Sequence, residues 1–134
     1  MGMHWRLYQC FQRVNTKILA RIQAIGLHPG QPKVLEFLQD HDGAKPGEIA
    51  VGCAIDKSTV ASLLIRMDKA GLIRRTPHPK DNRSQNIYLT QQGLTATKAV
   101  KEIVADINQQ ALQDFSQEEK ELLDSLLGRI IANL

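Results

Sequence analysis

The chain has 134 residues, 43% of them apolar and 23% charged, and a formal net charge of +3. This size and balance fit one compact domain with a real core. No run approaches the roughly 18 apolar residues of a membrane span, and the opening MGMHWRLYQC lacks the apolar centre of a secretion signal, so a cytoplasmic protein without a membrane partner is expected. Arg6 stands where a myristoylation signal needs Ser or Thr. No nucleophile elbow, phosphate loop or metal-helix motif occurs, so nothing motivates an enzyme.

Leu7, Phe11, Val14, Ile18, Ile22 and Ile25 form one long apolar stripe, predicting a first helix that ends near Gly26 and Pro29. A second helix places Val34, Leu35 and Leu38 inward and closes at Asp42-Gly43. A third carries Pro46-Gly47-Glu48-Ile49-Ala50. Asp56 is then a good N-cap, since its carboxylate can accept from the orphan amides of a first turn. Val60, Leu63, Leu64 and Met67 fall at i, i+3, i+4 and i+7, one stripe that must be buried. Gly71 supplies the left-handed residue that ends this helix. Its opposite face holds Lys57, Ser58, Ser62, Ile65, Arg66 and Lys69.

Residues 72–76 and 86–90, rich in β-branched and aromatic side chains, predict two short strands. Two prolines and Asp81-Asn82 between them favour a loop, and Pro77, Pro79, Lys80 and Arg83 sit at its tip. Beyond Thr90 the pattern is helical again, with Val100, Ile103, Val104, Ile107, Ala111 and Leu112 apolar. Ser116 and Glu119 form a capping box. It opens a last helix whose stripe of Leu122, Leu123, Leu126, Leu127, Ile130, Ile131 and Leu134 is wide enough to bury two faces, one on its own subunit and one on a partner. The expected class is mainly α with a small β-hairpin.

Charge is unevenly placed. From Asp56 to Arg83 seven basic residues face three acids, while from Glu102 onward seven acids face only Lys120 and Arg129. A basic centre with an acidic tail suits one surface turned toward phosphate and another turned away. A capped helix followed by a basic hairpin can lie in a DNA major groove while the hairpin tip reaches the adjacent minor groove, the logic of a winged helix-turn-helix. A solvated polar face is the plainer reading of the same residues.

Together these segments resemble the MarR family of transcriptional regulators. The resemblance is carried by Pro46–Ala50, Asp56-Lys57-Ser58-Thr59-Val60, Lys69-Ala70-Gly71-Leu72-Ile73-Arg74-Arg75, the wing motif Asp81-Asn82-Arg83-Ser84, and Leu89-Thr90-Gln91-Gln92-Gly93. It implies a homodimer on a near-palindromic operator, residues 28–93 being the DNA-binding lobe and 1–27 and 94–134 the dimerisation helices. Half-sites would lie roughly 10 base pairs apart. Lys57, Ser58, Thr59, Ser62 and Arg66 would meet the major groove, with Lys80 and Arg83 on the wing and Arg83 entering the minor groove. Asp81 would hold the wing's shape by pairing with Arg75 or Arg83. The resemblance also implies repression relieved by a small-molecule effector; no cofactor is expected from the motifs present.

Three features depart from the family pattern. Ala61 and Ser62 are short where long polar side chains are usual, and Ile65 is apolar. Ser62 could reach a base edge or a phosphate, Ala61 only a thymine methyl. Direct readout is therefore expected to be sparse, with more specificity from DNA shape.

For an effector pocket, Trp5, Tyr8, Arg13 and His28 are the candidates, although Trp5 and Tyr8 could instead pack at a dimer junction and His28 could cap the second helix. Cys10 could be a redox sensor, as some relatives use a cysteine near the start of the first helix. Its position beside Leu7, Phe11 and Val14 otherwise predicts a buried structural thiol. Cys53 reads as packing. His4, His28, His41 and His78 are dispersed, so no metal site is expected. Other readings are a winged-helix interaction module without DNA binding and a thiol-based regulator using Cys10.

Overall fold

A computed structural model describes the backbone of every residue but Pro79 and Lys80, and the side chains of all but residues 78–84. Among the described residues the chain forms six helices and one hairpin: α1 (Met3–Ala24), α2 (Gln31–Asp40), α3 (Pro46–Cys53), α4 (Lys57–Lys69), β1 (Ile73–His78), β2 (Asp81–Leu89), α5 (Gln91–Ala111) and α6 (Gln117–Asn133).

The core gathers the predicted stripes. Val34, Leu35 and Leu38 of α2 meet Ile49 and Ala50 of α3, Val60, Leu63, Leu64 and Met67 of α4, and Val100, Ile103 and Ile107 of α5, all buried. Each fully buried aliphatic side chain stabilises the fold by about 1.5–3 kcal/mol relative to exposure. Helix α2 sits at the centre, touching α3, α5 and β2.

Local signals work as expected at the helix ends. Gly26 and Gly71 both adopt positive φ, 83° and 77°, where α1 and α4 stop. Ser116 accepts from the Glu119 amide at 3.1 Å while the Glu119 carboxylate accepts from the Ser116 amide at 2.9 Å. That reciprocal pair holds the Glu119 carboxyl below its usual range. His28 joins the second helix through its backbone rather than its ring: its carbonyl accepts from the Gln31 amide at 3.1 Å, and its amide donates to Gln31 Oε1 at 3.0 Å.

The hairpin is longer than the sequence predicts. Pairing runs from Ile73 opposite Leu89 to Pro77 opposite Gln85, shifts register between Pro77 and His78, and includes Asp81. Asp81 and Asn82, expected in a loop, therefore lie in β2. Pro77 is tolerated because the sheet has only two strands, so its missing N–H need not break an inner ladder. At the other end Leu72 precedes the strand, and Thr90 leaves it to cap α5, accepting from the Gly93 amide at 3.0 Å. A third segment joins the sheet at a single bridge: Gly43 donates to the Ile87 carbonyl at 2.8 Å and the Ile87 amide to Ala44 at 2.9 Å.

Two apolar stripes behave differently from expectation. In α1 only Ile22 is fully buried, and Leu7, Phe11 and Ile25 are exposed. Helix α6 buries none of its residues, so the face expected to pack on its own subunit stays open; Leu122 and Ile131 are 57% and 74% exposed. The chain turns into α6 after Asp114, at φ 67°, and among the described residues leaves it without a substantial neighbour.

The tightest backbone approach is at Gly93, where an added Cβ would sit 2.1 Å from the Leu72 carbonyl oxygen. Gly93→Ala should lower stability by about 1–3 kcal/mol in denaturant unfolding, because backbone must move to admit the methyl. Gly47→Ala, at an open position in α3 with nothing within 4 Å, should be neutral or stabilising. Equal effects would contradict this account of the α5 junction.

Candidate nucleic-acid interface

Helix α4 is set by its buried seam. With Val60, Leu63, Leu64 and Met67 buried, the 100° step per residue turns Ser58, Ser62, Ile65 and Lys69 to within about 40° of the opposite, outermost line. Ala61 and Arg66 flank that line, and Lys57 and Thr59 lie further round its two sides. All eight are exposed. Every recognition-helix candidate (Lys57, Ser58, Thr59, Ser62 and Arg66) is thus accessible, and Ile65, the apolar departure, is 53% exposed near the crest of the ridge.

The first turn holds a compact hydrogen-bond cluster. Asp56 Oδ2 accepts from the Thr59 amide at 3.0 Å and from the Ser58 hydroxyl, and Oδ1 accepts from the Thr59 hydroxyl at 2.7 Å. These donors, the Ser58 hydroxyl first and Thr59 after it, pull the Asp56 carboxyl down to about 2. The cluster has a chemical consequence that the cap alone does not reveal. Each hydroxyl has one proton, and both are committed to Asp56. What Ser58 and Thr59 present outward is acceptor capacity, suited to the amino groups of adenine or cytosine rather than to phosphate.

The wing is braced to the recognition helix by side chains from several elements. Arg75 donates from Nη1 to Gln85 Oε1 at 3.2 Å across the hairpin, and its Nε lies 3.8 Å from Asp68 Oδ2 of α4. Arg74 stacks over Tyr88 with 4.4 Å from its Cζ to the ring centroid. Asp42, just beyond α2, accepts from the Leu89 amide at 2.9 Å. The carbonyls of the turn just after α4 are covered from the start of α5: the Thr90 hydroxyl donates to Gly71 and Gln92 Nε2 to Ala70 at 3.1 Å. No local pattern marks these bracing residues: Asp42, Thr90 and Gln92 bond to partners far along the chain, and Asp68 and Gln85 meet Arg75 only once the hairpin folds beside α4. The Leu89–Gly93 motif was the available signal. Lys80 and the side chains of Asp81 and Arg83 lie outside the described residues, and with them the expected pairing of Asp81.

The four effector-pocket candidates are not brought together within one chain. Trp5 and Tyr8 stack on each other, 5.3 Å between ring centroids, on the exposed start of α1. His28 follows the far end of that helix, some 30 Å away at 1.5 Å per residue. Arg13 alone lines a recess of about 330 Å³ between α1 and α5, with Cys10, Val14, Lys17, Ile107, Gln110 and Ala111. Cys10 is exposed rather than buried, because the apolar neighbours expected to cover it, Leu7 and Phe11, are themselves unpacked in the single chain. Cys53 is buried as expected; its Sγ lies 3.5 Å from the Lys33 carbonyl, and burial raises its pKa, partly offset by the Lys33 charge. Among the described residues no group of three His, Cys, Asp or Glu side chains could hold a metal, and no helix is long and apolar enough to cross a membrane.

Asp56 links the helix terminus to pH. Its folded pKa lies below the unfolded value, so its contribution to stability is present above about pH 4 and fades as pH falls through about 2. Asp56→Asn should remove that part of the acid limb of stability while keeping a capping oxygen, and Asp56→Ala should lose the cap at neutral pH as well. Thermal melts from pH 2 to 7 read both; an unchanged acid limb in Asp56→Asn would contradict the cluster.

The sequence model of the MarR family matches residues 25–84. PecS, a transcriptional regulator of Dickeya dadantii, is 39% identical over 89 residues, which cover 66% of this chain and 54% of PecS, so the chain spans about half the length of that relative. The repressor IacR of Pseudomonas putida is 24% identical over 132 residues, 98% of this chain and 75% of IacR. A probable transcriptional regulator from Pseudomonas aeruginosa has a TM-score of 0.82 at 30% identity, covering 96% of each chain. The S. aureus MepR–DNA complex shares the fold at a TM-score of 0.86 and 23% identity, over 99% of this chain and 98% of MepR. With its capped recognition helix, braced wing and these relatives, the chain belongs to the MarR family of winged helix-turn-helix regulators.

Proposed function

We propose that the chain is a sequence-specific DNA-binding transcriptional regulator, acting as a homodimeric repressor on a near-palindromic operator and released by a small-molecule effector. The observation that carries the reading is the outward ridge of α4, where exposed Lys57 and Arg66 flank a crest of short hydroxyl side chains that Lys69 continues, while the apolar seam is fully buried beneath. That ridge has the length and charge to lie in a major groove. MepR, of the same fold, has been solved with DNA, and IacR is named a repressor; both support the reading.

In this account residues 28–93 are the DNA-reading lobe, and Lys80 and Arg83 of the wing contact the neighbouring minor groove. Residues 1–27 and 94–134 are the dimerisation helices. Support for the dimer comes from the apolar surface that one chain leaves open, Trp5, Leu7, Tyr8 and Phe11 on α1 and Leu122, Leu126 and Ile131 on α6. Charge agrees: α1 carries Arg6, Arg13, Lys17 and Arg21 with no acid, whereas α6 carries four acids against Lys120 and Arg129. Electrostatic attraction across such a contact would fix its register more than its strength. The effector would bind where the two regions meet.

Selection of bound fragments from sheared genomic DNA should enrich a two-fold symmetric site with half-sites about one helical turn apart; no enrichment over input would sink the DNA-binding reading. Arg66→Ala and Arg83→Ala should each weaken binding to all sites and shallow the log–log salt dependence by about one unit of slope, as one phosphate-facing cation is lost. Unchanged slope for Arg83→Ala would remove the wing from the interface. Leu122→Glu with Leu126→Glu should convert the dimer to monomer in sedimentation; a wild-type chain sedimenting as monomer at micromolar concentration would contradict the homodimer.

A further inference from the structure

We infer that Ile65, with Ala61 one turn before it, is a specificity-determining residue that reads the C5-methyl group of thymine on the floor of the major groove. The inference rests on the DNA-binding reading above and assigns a base class to part of that surface. Isolated apolar side chains on protein surfaces are ordinary, so position must carry the argument. Ile65 lies almost diametrically opposite buried Met67 on α4, as helix periodicity requires, and is 53% exposed. It therefore stands near the crest of the ridge rather than on its flank, with Ser58, Ala61, Ser62 and Lys69 as its exposed neighbours on the helix face.

Among the described residues no hydrophobic partner covers Ile65. The described hydrophobic core takes in Val60, Leu63, Leu64 and Met67 from this helix and leaves Ile65 outside. The cations that would meet phosphate, Lys57 and Arg66, lie to either side of it, so a duplex held by them brings Ile65 toward base edges rather than toward the backbone.

Chemistry then selects the base. Isoleucine has neither donor nor acceptor. Opposite an adenine or cytosine amino group, or the acceptors of guanine, it would displace water without replacing the lost hydrogen bonds. The thymine methyl is the one apolar group among the base edges of the major groove, and contact with it removes apolar surface from water on both sides. From Ser58 to Ile65 the ridge runs about 10 Å at 1.5 Å per residue, or about three base pairs at 3.4 Å each. The outward acceptors of Ser58 and the methyl-reading pair thus address neighbouring steps of one half-site. This places apolar readout where long polar side chains are missing.

The test uses a duplex selected from a random-sequence pool by the full-length protein. Each thymine of the selected site is replaced in turn by deoxyuridine, which removes only the methyl group and keeps pairing and the O4 acceptor. At one or two thymines per half-site the replacement should cost about fourfold in affinity, as one buried methyl is worth about that factor, and about sixteenfold when both half-sites are changed. Ile65→Ala should bind more weakly and lose most of this uracil sensitivity at the same positions, while circular dichroism confirms that the exposed substitution leaves the fold intact. Wild-type binding that is indifferent to uracil at every thymine would overturn the inference and leave the DNA-binding reading standing. Equal uracil sensitivity in wild type and Ile65→Ala would assign the methyl contact to another residue. A pool from which no duplex is enriched would overturn both.

Discussion

Four side chains decide what this protein can show to a partner. Val60, Leu63, Leu64 and Met67 are buried in the shared core, with α3 and the base of the hairpin beside them, and an α-helix has no freedom to rotate once such a seam is packed. Everything on the far side of α4 follows from that constraint. Ser58, Ser62, Ile65 and Lys69 point outward because the seam points inward. A change that loosened the seam would cost several kcal/mol and would also spoil the aim of side chains that never touch it.

The braces around α4 serve the same end. Asp56 secures its first turn through three hydrogen bonds, and Thr90 and Gln92 secure the carbonyls of the turn that follows it. The Arg75–Asp68 contact and the Asp42 bond to Leu89 tie the base of the wing to the helices beside it. These contacts tie α4 to the base of the hairpin, and in the proposed DNA-binding reading they would set the distance between major-groove and minor-groove contacts before DNA is met. Such preorganisation lowers the ordering cost of association. Asp56 carries a drawback within this arrangement, since it places a carboxylate near the helix N-terminus where a phosphate could otherwise bind. Its ionised state turns that end of α4 from an anion site into a source of outward hydroxyl acceptors.

Much of this was legible in the chain itself, and the rest fails for identifiable reasons. The caps at Asp56 and Ser116, the stop at Gly71 and the stripes of α2, α4 and α5 are local patterns, readable over a few residues. The hairpin's length was not, because Pro77, Asp81 and Asn82 are turn formers whose preference the antiparallel ladder overrides. Neither were the bonds from Asp42, Thr90 and Gln92, which span between 19 and 47 residues of sequence. Cys10 and the own-subunit face of the final helix differ from expectation for one shared reason. An apolar stripe says that a face wants burial but not whether its own chain supplies the cover. In α6 and the first half of α1 it does not.

That open apolar surface and the basic ridge of α4 lead to one central claim, that two copies present their recognition helices to a single duplex. Hydroxyl-radical and methylation footprinting of the protein on its selected duplex tests it most directly. The account predicts two equivalent sets of major-groove protections about one helical turn apart, each flanked by minor-groove protection from a wing. A single unpaired patch, or a duplex left unprotected at saturating protein, would contradict it.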